Sequence, residues 1–117
     1  MLDPKALANL QTLEEAEPGL VGEVIAAFLR SSACRLAELR RAAASGDAAR
    51  LVKPAHALKG GCGLVGAEAL AALCAQIEDR GRAGSLARVP ELIESLQAKY
   101  AEVRQLLEDH QAGRSRG

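Results

Sequence analysis

Aromatic side chains are nearly missing: the chain has no tryptophan, one tyrosine and one phenylalanine. It therefore offers no stacking platform for nucleic-acid bases, and no lysine- or arginine-rich tract runs alongside to hold a phosphate backbone. Charge of one sign is missing as well, with 15 basic residues set against 15 acidic ones. No apolar stretch is long enough to span a membrane, and the N-terminus lacks the apolar core of a signal peptide. A cytoplasmic protein without nucleic-acid or direct membrane contact is expected. Cysteine is sparse: Cys34, Cys62 and Cys74 are odd in number and unrelated in spacing. That excludes a disulfide framework and a CxxC metal site. Alternating strand patterns are absent throughout.

What is present is aliphatic. Apolar residues make up 49% of the chain, and with alanine and leucine dominating them the composition favours helix over sheet. The 117 residues suffice for one domain around one core. Asp3-Pro4 reads as a helix start, Asp3 capping and Pro4 in the first turn. Leu7, Leu10 and Leu13 mark one face of that short helix, and Glu17-Pro18-Gly19 breaks it. A long helix is expected over 20–44, with Val21, Val24, Ile25, Phe28, Leu29, Cys34, Leu36 and Leu39 on its apolar side. Gly46 suits a left-handed C-terminal cap and Asp47 an N-cap for the next helix. That third helix begins near Ala48, carries Pro54 as a kink or restart, and breaks at Gly66. A fourth, over 67–80, places Leu70, Leu73, Cys74 and Ile77 together. Gly81 to Gly84 reads as a turn. The last helix starts between Ser85 and Pro90 and repeats Ile93, Leu96, Tyr100, Val103 and Leu107, a three-four spacing suited to antiparallel packing. The expected fold is all-α: an up-down antiparallel four-helix bundle with a short extra N-terminal helix. The bundle occupies 1–111, and 112–117 is a frayed tail.

The segment from Pro54 to Gly66 holds one of two histidines and four of eleven glycines. At about 100° per residue, Leu51, Ala55, Leu58, Cys62 and Val65 gather on one side of a helical wheel. His56 falls opposite, facing solvent. Gly60 and Gly63 lie in line with it, one and two turns on, and Lys59 flanks the same face. Glycine within a helix costs about 1 kcal/mol relative to alanine. In-line glycines therefore point to a face kept clear for a docking partner. A neutral imidazole is a competent nucleophile near pH 7, its ordinary pKa being about 6.5. Phosphoryl transfer asks mainly for positioning and charge neutralisation. Lys59 is placed to hold phosphoryl oxygens, and Glu78 on the next helix is the candidate acceptor that orients the ring. His110 reads as a solvated C-terminal residue, and Cys34 and Cys74 as core thiols. Gly61-Cys62-Gly63-Leu64-Val65-Gly66 spells G-x-G-x-x-G, but a dinucleotide fingerprint needs a preceding strand and a βαβ unit, and here the segment follows a helix.

Ala55-His56-Ala57-Leu58-Lys59-Gly60, followed by Gly66-Ala67, Leu70, Cys74, Glu78, Arg82 and Gly84, resembles the histidine-containing phosphotransfer (HPt) domain of multistep two-component phosphorelays. The resemblance covers essentially the whole chain. It implies His56 as phosphoacceptor, Lys59 as the phosphate-facing lysine and Gly60 as the residue leaving room. It also implies a phosphocarrier without kinase activity or cofactor of its own. Such a domain takes phosphoryl from a receiver-domain aspartate, gives it to another receiver, and relies on Mg²⁺ supplied by the receiver partner. Response-regulator receiver domains and a hybrid sensor histidine kinase are the implied partners of what is expected to be a monomer, whether free-standing or a kinase module. Gly61 stands where the family commonly has serine, which removes a hydroxyl and predicts a looser end to the histidine helix. Two other readings remain: a phosphorylation-independent helical-bundle adaptor, and a chemotaxis-kinase-type phosphotransfer domain phosphorylated by a separate ATP-binding domain.

Overall fold

Helix-breaking residues divide the described residues into five helices. The structure, a computed structural model, describes the backbone of residues 4–65 and 67–116 and the side chains of 8, 10–65 and 67–111. Helix α1 covers Pro4–Ala16, α2 Leu20–Ser45, α3 Val52–Val65, α4 Glu68–Arg82 and α5 Val89–Arg116, with a single 3₁₀ turn at Ala48–Leu51 leading into α3. No strand occurs among the described residues. Asp3 and Gly66, read as a cap and a break, lie outside them, as does the side chain of Leu7.

Helices α2 to α5 form the four-helix bundle, and α1 packs on α2 and α3. The molecule measures 47 × 20 × 19 Å. Its long dimension is close to the length of α5, whose 28 residues span about 42 Å at 1.5 Å per residue. The core is the aliphatic seam expected from the spacing: Ile25 and Leu39 of α2, Leu70 and Ile77 of α4, and Leu96 and Leu107 of α5 are all fully buried. The chain's two aromatics meet inside it, Phe28 and Tyr100, with ring centroids 6.4 Å apart.

Gly46 ends α2 with φ at 74°, and its amide reaches the carbonyls of Ala42 and Ala43. This left-handed conformation carries a steric cost for residues with a Cβ. Pro54 is the third residue of α3, after the 3₁₀ turn, so the restart anticipated at this proline is what occurs. In a first turn its missing N–H removes no intrahelical bond.

Several local expectations are corrected. Cys34 is exposed, not part of the core. The buried seam of α2 runs Phe28, Ser32, Leu36, Leu39, and Cys34 falls between its turns. The core position is taken by Ser32, whose hydroxyl shares a 2.8 Å hydrogen bond with the Tyr100 hydroxyl and donates to the Leu29 carbonyl at 3.3 Å. A satisfied hydroxyl is tolerated in a core where a bare one is not. Asp47 occupies the N-cap position of the 3₁₀ turn without a side-chain cap bond, its carboxylate lying instead 3.2 Å from Arg50 Nε.

Gly81 belongs to α4, not to a turn. A Cβ there would lie 2.9 Å from Val52 Cγ2 and 3.0 Å from the Ala48 carbonyl oxygen. The glycine is what lets α4 lie directly on the 3₁₀ turn. The reversal comes later, at Gly84, with φ at 69°. The C-terminal segment read as a tail continues α5 to Arg116, since Ala112–Arg116 contains no proline to stop it. His110 is half-buried on that helix.

Candidate functional site

Every element of the site follows from the register of α3 against α4. Ala55, Leu58, Cys62 and Val65 are buried, which fixes the rotation of α3 and sends His56 outward, its side chain 65% exposed. On α4 the buried residues Cys74, Ile77 and Gly81 set the register. Glu78 follows Ile77 and is buried with them, its side chain only 5% exposed, at the edge of α4 that faces α3.

An isolated carboxylate in that position would be costly, and three cationic or protonatable groups meet it. His56 Nδ1 lies 3.1 Å from Glu78 Oε2. Arg82, one turn along α4, donates from Nη2 to the same oxygen at 2.6 Å. Lys59 Nζ stands 2.9 Å from Oε1. The Arg82 guanidinium, followed by the Lys59 ammonium and the imidazole, holds the Glu78 carboxyl down at about 2, against the opposing effect of burial. Glu78 is thus an anion at neutral pH. As a constant acceptor it favours the tautomer with the proton on Nδ1, leaving the Nε2 lone pair outward. Nε2 has no partner among the described residues.

The face around the imidazole is bare. A Cβ added at Gly60 or Gly63 would meet nothing within 4 Å. Gly61 differs from its neighbours, since a Cβ there would stand 3.3 Å from the Phe28 ring. The looser helix end expected from Gly61 is not what occurs, because α3 stays helical to Val65 and Gly61 admits Phe28 against its backbone. Beside it, Val24, Ala27, Phe28, Ala57, Gly61 and Leu64 line an apolar groove of about 390 Å³ between α2 and α3. Leu64 is 59% exposed.

Arg82 carried part of the resemblance without a role being assigned to it, and Leu64 was not singled out. Arg82 had a signal in its i,i+4 spacing from Glu78. Leu64 stood out only as an apolar residue off the core face of the wheel. Cys62 and Cys74 are buried together across α3 and α4. The Cys74 thiol beside it, together with burial, pushes the Cys62 thiol up, so it packs as an unreactive thiol. Among the described residues no three His, Cys, Asp or Glu side chains converge as metal ligands, and no helix is long and apolar enough to cross a membrane.

An exposed imidazole held by a buried carboxylate on a helical bundle defines a class. The family model of the Hpt domain matches residues 23–112, and the chain belongs to that family. Hpt domains serve histidine phosphotransfer in phosphorelays, working with receiver domains and kinases, and are phosphocarriers, not enzymes in themselves. Among solved structures, the crystal structure of histidine-containing phosphotransfer protein B (HptB) from Pseudomonas aeruginosa PAO1 matches with a TM-score of 0.85 and 35% identity, over 93% of this chain and 92% of that one. A comparison with curated proteins gave no match.

Proposed function

We propose that His56 accepts a phosphoryl group from the aspartyl phosphate of one receiver domain and passes it to the aspartate of another. The observation that carries this reading is the 3.1 Å contact between His56 Nδ1 and the buried Glu78 carboxylate on an otherwise open face. In the forward step the Nε2 lone pair attacks phosphorus, the N–P bond forms, and the P–O bond to the aspartyl carboxylate breaks. The carboxylate leaves with the electron pair. The ring keeps its Nδ1 proton and becomes a phosphoimidazolium, whose positive charge the Glu78 carboxylate offsets. The second transfer runs the same step in reverse on a different receiver.

Lys59 is the residue that meets the phosphoryl oxygens. Its ammonium rests on Glu78 Oε1 and is still 38% exposed, so rotation about its own side chain brings it to a group on Nε2. Gly60 and Gly63 give the receiver its approach, with Leu64 as an apolar contact at the edge. Mg²⁺ arrives with the receiver and neutralises the acyl phosphate there; this chain supplies no ligand to it. The protein acts in the cytoplasm as a monomer, beside a hybrid sensor kinase and without nucleic acid.

The test is acid-labile phosphate on the chain after mixing with receiver domains charged by acetyl phosphate and Mg²⁺. Wild type is expected to take label and His56→Gln none, with both showing the same helical circular dichroism. Label on neither, across a panel of receivers, would sink the relay reading and leave the bundle as a phosphorylation-independent adaptor.

A further inference from the structure

A second concave surface lies one helical turn from the imidazole. Where the end of α2, the 3₁₀ turn and the start of α3 meet, a cleft of about 940 Å³ opens. The buried Ala42 and Pro54 lie at its base, and Arg41, Arg50 and Lys53 line it from exposed positions. These cations are not all neutralised. Glu38, which also lines the cleft, is held by Arg35 at 2.8 Å. Arg50 shares Asp47 at 3.2 Å. Arg41 and Lys53 are exposed and have no ion pair or hydrogen bond among the described residues.

Lys53 and His56 are both exposed on α3 and three residues apart, so they share a face with an axial offset of about 4.5 Å. A protein seated on His56 reaches the cleft without bending around the bundle. Two unpaired cations at the cleft of a net-neutral chain are too few for a duplex, whose binding rests on many phosphate contacts. A recess with Ala42 and Pro54 at its base also has depth that a flat lipid surface would leave unfilled. The chemistry that matches it is a protruding protein segment bearing carboxylates.

We infer that the cleft between α2 and α3 docks an acidic segment of the receiver domain that exchanges phosphoryl with His56, with Arg41 and Lys53 as its charge contacts. This rests on the relay reading and extends its contact surface beyond the glycine face. Rim charges act mainly on encounter, so they change association rate and salt dependence more than chemistry.

The experiment compares wild type, Arg41→Glu/Lys53→Glu and Arg41→Lys/Lys53→Arg, with helicity checked by circular dichroism. Each is phosphorylated in two ways: by a panel of receiver domains charged with acetyl phosphate and Mg²⁺, and by phosphoramidate, a small donor that needs no docking. The charge-reversed protein is expected to lose roughly tenfold or more in receiver kcat/KM, carried by KM. It should show a flatter dependence on ionic strength and unchanged labelling by phosphoramidate, and the charge-conserving protein should match wild type. Equal receiver kcat/KM in wild type and charge-reversed protein overturns the cleft assignment while leaving the relay reading intact. So does an equal loss with both donors, which would mean that His56 itself was disturbed. Unchanged transfer with lost binding to phosphatidylserine vesicles or to duplex DNA would reassign the cleft to those anions. Wild type that takes label from phosphoramidate but from no receiver defeats the relay reading, and the assignment falls with it.

Discussion

Glu78 gathers an arginine, a lysine and a histidine on one buried carboxylate, and its ionisation is tied to folding for that reason. Its carboxyl is held at about 2 in the folded chain, whereas a free glutamate titrates near 4.3. A depressed value means that the unfolded chain binds the proton more readily. The stabilisation is therefore complete above the unfolded pKa and is lost as pH falls from about 5 toward 2. Glu78→Gln should remove that dependence. Urea denaturation at neutral pH and near pH 3 is expected to show a smaller stability difference in the variant than in wild type. An equal difference in both would mean that Glu78 is not a linked group. In phosphotransfer the same variant keeps a hydrogen-bond acceptor for Nδ1 but loses the anion that offsets the phosphoimidazolium, so transfer should slow while His56 remains labelled.

Among the elements, α3 and α4 carry glycines of opposite kinds. Gly81 is closed in, and a methyl group there would press on Val52 and on the Ala48 backbone oxygen. Gly81→Ala should cost about 1–3 kcal/mol, as overpacking does. It should also slow transfer, because α4 carries Glu78. A Cβ at Gly63 would meet nothing within 4 Å, so Gly63→Ala should stabilise α3 by about 0.5–1 kcal/mol, while Gly63→Leu should slow capture from a receiver. Denaturant melts read the first pair of effects and transfer kinetics the rest. If Gly63→Leu exchanged phosphoryl at the wild-type rate, the bare face would have no docking role.

The sequence separated these glycines only in part. The wheel placed Gly60 and Gly63 in line with His56 because that is geometry within one helix. Gly81 looked like a turn because its constraint comes from a different element, the 3₁₀ turn, and no spacing in α4 records it. Helix positions and the aliphatic seam were legible for the same reason that the exchange of Cys34 for Ser32 was not. Periodicity identifies a buried face, but a serine enters it only when a partner such as Tyr100 is waiting across the core. The outward turn of His56 could be read from α3 alone and the pairing of Arg82 with Glu78 from α4 alone, whereas the meeting of Lys59 and His56 with Glu78 required two helices in register.

At the level of the whole molecule, α1 lies before the family match, which begins at residue 23, yet Leu10 is buried in the common core. Packing of α1 reaches α2 and α3, and the residues of the imidazole cluster come from α3 and α4. Deleting residues 1–18 should therefore lower stability by roughly 2–3 kcal/mol, the scale of one or two buried leucines. The shortened chain should still take phosphoryl from phosphoramidate. Loss of that labelling in a chain that stays helical would tie α1 to the site.

The pairing of Tyr100 with Ser32 also decides how the molecule looks to light. With no tryptophan and a single tyrosine, its near-ultraviolet emission comes from one ring, inside the seam between α2 and α5 and hydrogen-bonded to a serine. That ring reports on the interior just beneath the groove that Phe28 and Ser32 line beside the phosphotransfer face. A tryptophan placed in a receiver would be excited against a dark background, and its emission would follow docking alone. The tyrosine signal would report separately on the packing of the seam between α2 and α5.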